Sequence, residues 1–202
     1  MKYNNDVIIA TALFLLLMFV MFVASNGNNF KSYGQLLDKS YVNENCGVSI
    51  NYPSDWKLEE KIQNDATLPV NYIVEFQPNN EEDSLSIVGI ELDDISHLPD
   101  RSLEAIKTSE ENNITMDGTG IIETSETISI AGYDAQKIVY TVLGENNDRL
   151  KKMEIDVLAF NREYKITFDT SGSALYQRYI STVEEMVRTF EINEPTFEEI
   201  AC

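Results

Sequence analysis

The sequence predicts an α+β protein in which an antiparallel β-sheet is flanked by helices and preceded by one transmembrane helix. Three observations carry this reading: an apolar run near the amino terminus, a series of segments alternating apolar and polar residues, and two stretches whose apolar residues recur at helical spacing.

The apolar run is Val7 to Ala24, VIIATALFLLLMFVMFVA, broken only by Thr11. At a rise of about 1.5 Å per residue such a helix spans roughly 27 Å, close to the hydrocarbon thickness of a bilayer, whereas the apolar part of a secretory signal is only about 7 to 15 residues. Residues 1–24 are therefore read as a membrane anchor that contacts lipid through Val7 to Ala24. With Lys2 ahead of the run and a large domain behind it, the amino end stays in the cytoplasm and the rest is exported. That makes the chain a single-pass protein of the cell membrane with an extracytoplasmic domain. The rival reading is a signal peptide cleaved after Val23-Ala24-Ser25, where the residues are suitably small. Residues 25–40 follow as a linker or stalk, 41–192 as the folded domain and 193–202 as an acidic tail.

Period-two alternation with β-branched and aromatic residues predicts strands at Val48 to Tyr52, Val70 to Gln77, Leu85 to Leu92, Gly120 to Ile130, Ala135 to Leu143, Leu150 to Phe160 and Glu163 to Asp169. Ala131-Gly132-Tyr133-Asp134 and Asn161-Arg162 are short enough to make their flanking strands antiparallel hairpins. Along Lys151 to Val157, Met153, Ile155 and Val157 point one way while Lys152, Glu154 and Asp156 point the other. One face of the sheet is thus wet, or covered by a polar-backed helix, and the strands are expected in meander order. Pro99-Asp100-Arg101-Ser102 starts a first helix with Leu103 and Ile106 as a thin apolar stripe. A second, over Ala174 to Phe190, carries Tyr176, Tyr179, Ile180, Val183, Met186, Val187 and Phe190 on one side and should lie across the sheet.

The chain has 34 acidic and 15 basic residues, a net charge of −19. Such a surface repels phosphate backbones, so no nucleic-acid partner is expected. The acidic doublets serve a solvated surface, or weak attraction of cations and docking to a basic partner. Cys46 and Cys202 are the two cysteines, and an exported location permits them to pair and clip the tail onto the sheet; two separate thiols are the alternative. Asn113-Ile114-Thr115 is a candidate glycosylation sequon placed after the first helix. Asp93, Asp94, His97 and Asp100 crowd one connecting loop and are the best candidate metal ligands, for calcium or a transition ion; equally, the loop is merely polar and Asp100 caps the helix.

No nucleophile elbow, zinc-protease motif, paired Cys-x-x-Cys or phosphate-binding loop is present, and His97 is the single histidine. The residues therefore point to no enzyme and no cofactor.

Gly47-Val48-Ser49-Ile50-Asn51-Tyr52-Pro53-Ser54-Asp55-Trp56 resembles the opening strand and turn of PsbP-like domains. Phe76-Gln77-Pro78, the Ile130 to Tyr140 hairpin, Tyr164-Lys165-Ile166-Thr167-Phe168 and the helix ending Met186-Val187-Arg188-Thr189-Phe190 follow in the family's order. The resemblance, over roughly Tyr41 to Ile192, implies an α-β-α sandwich. It also implies an extracytoplasmic accessory role, as in the plant and cyanobacterial forms that stabilise photosystem II. The anchor, the acidity and the scarcity of histidine are unlike those photosynthetic forms and are similar to anchored archaeal members, so photosystem and manganese roles are not carried over. Trp56 needs only a packing role. The expected function is a non-enzymatic module that binds or stabilises an envelope or membrane protein complex; the alternative is an extracellular binder of a small ligand or cation.

Overall fold

A computed structural model of the chain describes residues 34–61, 71–80, 85–116, 118–144 and 148–196. The anchor segment Val7 to Ala24 and Cys202 lie outside these residues. Among the described residues no helix is long and apolar enough to cross a membrane.

The strands are β1 (Lys39–Asn43), β2 (Val48–Tyr52), β3 (Trp56–Glu60), β4 (Asn71–Pro78), β5 (Ser86–Asp94), β6 (Ile121–Ile130), β7 (Tyr133–Leu143), β8 (Arg149–Ala159), β9 (Arg162–Thr170) and β10 (Glu191–Ile192). The helices are α1 (Leu103–Thr115) and α2 (Ser173–Arg188). A seven-stranded antiparallel sheet has the order β3-β4-β5-β9-β8-β7-β6, and a three-stranded sheet the order β1-β2-β10. Of the seven strands expected in one meander, Val48 to Tyr52 belongs to the small sheet, and the other six, joined by β3, form two meanders. α1 carries the chain from β5 to the far edge, so that β9 closes the gap by pairing with β5, Ile90 opposite Ile166.

Alternation decides what each face of the large sheet does. Val88, Ile90 and Leu92 of β5, Tyr164, Ile166 and Phe168 of β9 and Met153, Ile155 and Val157 of β8 are fully or almost fully buried on one side. Onto this face packs α2, through Tyr176, Tyr179, Val183, Met186 and Val187. The small sheet covers the β4 end, where Tyr41 and Tyr52 flank Phe76 with ring centroids 6.1 and 4.9 Å away. Trp56 is buried, its ring edge-on to Tyr179 at 5.6 Å and its Nε1 donating to Gln35 Oε1 at 2.7 Å. The packing role expected of it is the one it plays.

The segment read as a stalk is in part domain. The Gln35 amide donates to Thr182 Oγ1 at 3.2 Å and the Ser54 amide to Asp38 Oδ1 at 2.8 Å, and Lys39 and Ser40 already belong to β1. Cys46 lies buried in the turn between β1 and β2. Next to it Gly47 has φ +71, and its carbonyl accepts the Asn193 amide at 2.7 Å. A Cβ there would stand 2.2 Å from the Asn193 carbonyl oxygen. Gly47→Ala is therefore expected to cost about 1–3 kcal/mol, the typical magnitude for a side chain forced into left-handed backbone. Thermal melting against the parent chain measures it, and an unchanged midpoint would show that the chain after β10 yields freely.

Candidate functional site

The other face of the large sheet is polar. From β5 it presents Gly89, Glu91 and Asp93; from β9, Glu163, Lys165, Thr167 and Asp169; from β8, Lys152, Glu154 and Asp156; from β7, Gln136, Ile138 and Tyr140. Register makes these neighbours: Glu91 stands opposite Lys165, Asp93 opposite Glu163, and Asp156 opposite Lys165. α1 lies over β6, β7 and β8 on this face, resting Ile114 on Ile138 and Tyr140. Toward β4 the face is open, as a trough of about 250 Å³ walled by Tyr72, Glu75, Glu91, Lys152, Glu154 and Asp169. Its floor is Gly89, where a Cβ would come within 2.7 Å of Thr167 Oγ1.

Lys165 is the hub. Its Nζ lies 2.7 Å from Glu110 of α1 and 3.8 Å from both Asp156 and Glu163. Burial opposes its charge, but the surrounding carboxylates of Asp156, Glu110 and Glu154 outweigh that and hold its pKa well above the ordinary lysine value. Lys152 is taken by Asp169 at 2.7 Å. Burial acts on the carboxyls around the hub in the opposite sense, because for an acid the disfavoured charged form is the deprotonated one. It pushes Glu91 up to about 7 despite Lys165 and a hydrogen bond with Tyr72. It also raises Asp93, Glu154, Asp156 and Glu163. Burial and the adjacent Glu91 together raise the Tyr72 phenol to about 12. Tyr140 donates its hydroxyl to Glu154 Oε1.

Asp156 is the extreme case. It is 0% exposed, and neither carboxyl oxygen has a hydrogen-bond partner. Glu163 Oε1 is buried and lacks a partner likewise. As two carboxylates they have no proton to offer each other. With one proton between them they form a hydrogen bond, and one buried negative charge disappears. The chemistry this face supports is the holding of protons around the Lys165 ammonium group.

The residues singled out from the sequence are dispersed. Asp93 belongs to this face. Asp94 turns away and its Oδ1 accepts the Ser96 amide at 2.7 Å, which holds its carboxyl below the ordinary range. Asp100 Oδ1 accepts the Ser102 amide at 2.9 Å, and Ser102 Oγ in turn caps α1 by accepting from the Ala105 amide. His97 is exposed. Among the described residues no three His, Cys, Asp or Glu side chains come together as a metal centre. Asp94 thus holds a turn, and Asp100 supports the segment that leads into the Ser102 cap. Asn113 lies on α1 itself, exposed in the last turn, rather than after the helix. Pairing of Cys46 with Cys202 falls outside the described residues.

Glu91, Glu110, Asp156, Glu163 and Lys165 were not singled out as a site by their sequence alone. The available signal was the alternation itself, which puts charge along one side of central strands, as in SIVGIELDD and REYKITFDT.

A family model described as PsbP-like protein matches residues 24–192. No curated protein matches the sequence. The fold is similar to the solution structure of cyanobacterial PsbP from Synechocystis, with TM-score 0.58 and 13% identity over 83% of this chain and 98% of that one. It is also similar to LpqN, involved in cell envelope biogenesis of Mycobacterium tuberculosis, with TM-score 0.54 and 8% identity over 73% of this chain and 83% of that one. At such identities the likeness is one of fold.

Proposed function

Since the chain belongs to the family of PsbP-like proteins, whose model spans residues 24–192, we propose that it is a non-enzymatic module, anchored in the membrane through Val7 to Ala24, whose extracytoplasmic domain binds and stabilises an envelope or membrane protein complex. Its acidity and anchor suit the archaeal type of member. The observation that carries the reading is the open edge of the large sheet. Among the described residues β6 pairs with β7 on one side and with no strand on the other, and seven of its ten residues are exposed. Ile121 and Leu143, both large, apolar and exposed, lie at the same end of the β6–β7 pair.

An edge strand of this length offers main-chain donors and acceptors to an added strand, with alternate side chains for selectivity. On a chain of net charge −19 the favoured addition is an extended segment bearing lysine or arginine. The envelope role stated for LpqN supports the same compartment.

A photoreactive residue at Thr124 of the full chain in native membranes is expected to capture one defined membrane or envelope protein. The same residue at Lys57, on the opposite edge strand β3, should not. Equal capture at both positions, or recovery of the uncoupled chain alone, sinks the reading.

A further inference from the structure

We propose that α1 is a proton-controlled cover: it stays docked on the polar face of the large sheet while the Asp156–Glu163 pair holds a proton, and it lifts from β8 and β9 when that proton leaves. The device is independent of any partner at β6.

The attachment of α1 is slight. Ile106 and Ile114 are its buried residues. Its polar anchorage is Glu110 on Lys165 at 2.7 Å, with Glu111 Oε1 accepting from Ser125 Oγ of β6 at 2.6 Å. Lys165 serves three carboxyls at once, Glu110 from the helix and Asp156 and Glu163 from the sheet. One ammonium group offsets one negative charge. With a proton shared between Asp156 and Glu163, Glu110 keeps most of the lysine's attraction. Once the pair is fully ionised, both carboxylates compete for Lys165 and repel Glu110 across the same few ångströms. Asp156 is fully buried on its strand and cannot leave; Glu110 rides on a helix whose outer side faces water.

Among the described residues, Lys107, the one lysine of α1, is taken by Glu104 at 3.7 Å. Facing the pair from β5 are Glu91 and Asp93, the latter within electrostatic reach of the exposed His97. From β8 come Glu154 and Lys152, and Lys152 is held by Asp169 of β9. From β7 come the neutral Gln136 and the Tyr140 hydroxyl bound to Glu154. Arg162, on β9, points to the opposite side of its strand, where it stands opposite Asp94. Tyr72 of β4 reaches Glu91.

The sign follows from the direction in which burial moves the acids. A carboxyl whose folded pKa is raised stabilises the docked state fully below its ordinary value, and that contribution is lost as pH rises through the folded value. Asp156 and Glu163 are both raised, so docking weakens as pH rises above the ordinary carboxylate range.

Amide hydrogen exchange on the full chain in mild detergent, corrected for intrinsic rates between pH 5 and 9, tests this. Peptides from 103–115 are expected to lose protection by up to roughly tenfold per pH unit once the pair titrates, the limit for release of one proton. Peptides from β7 and β8 should keep theirs. The double variant Asp156→Asn, Glu163→Gln should show a flat profile for α1. Should it fail to fold, Glu110→Gln, which removes the repelled charge, is expected to flatten the profile too. A pH-independent α1 in the parent chain, equal loss of protection in all strands, or a parent-like profile in either variant overturns the proposal.

Discussion

Lys165→Met is expected to destabilise the domain by about 3–5 kcal/mol at neutral pH, the usual result of removing one partner from a buried ion pair. The methionine fills nearly the same volume, so packing is retained and the loss is electrostatic. Glu110, Asp156 and Glu163 would then face one another with the nearest ammonium gone. Two readouts separate this from a packing effect. Urea denaturation at pH 7 should show the lower midpoint, and repeating it at pH 5 should recover much of the deficit, because acid supplies the protons that replace the lysine's charge. A deficit that does not change between the two pH values would mean that Lys165 contributes through its methylene chain alone.

Phe168→Ala should cost a similar amount, about 3–5 kcal/mol, for an unrelated reason. Phe168 is 0% exposed at the centre of β9, opposite Val88 of β5 and Met153 of β8, and it stacks on Tyr176 of α2 at 5.4 Å. Its truncation empties the point where both meanders and the long helix meet, and rigid strands on either side cannot close the gap. For a domain of this size each kcal/mol moves the melting temperature by roughly 2–4 °C, so a fall of about 10 °C is expected. Unlike Lys165→Met, the effect should be the same at pH 5 and pH 7. A shift of only a degree or two would mean that α2 sinks to fill the space.

Much of this architecture could be read along the chain. Val48 to Tyr52 was placed to the residue, and six further strands to within a residue or two at most ends, because each buries one side and alternation is strong. The second helix was equally plain. β1 has Tyr41 as its sole buried residue, β3 is short and mostly exposed, and β10 is only two residues long, so none of the three shows a clear alternation. The pairing of β5 with β9 could not be foreseen, since more than sixty residues of intervening chain separate strands whose own patterns are silent about neighbours. That pairing is also what creates the acidic face. Lys152, Glu154 and Asp156 were recognised as pointing away from the core, but Lys165 becomes a hub only when β9 lies between β5 and β8. Asp93, Asp94, His97 and Asp100 are conspicuous in the sequence by their density, whereas Lys165 and its carboxyls are spread over three elements; Asp94 and Asp100 accept the Ser96 and Ser102 amides.

The free rim along β6 carries a hazard as well as a use, since unpaired strands of identical molecules fuse readily into fibrils. The register slip between Ile122 and Thr124 breaks the regular ladder that such fusion needs. Behind it, a body of charge −19 repels its own copies. Polymerisation is thus held off by irregular geometry and by charge, and the second obstacle becomes an attraction for a segment that brings the opposite sign.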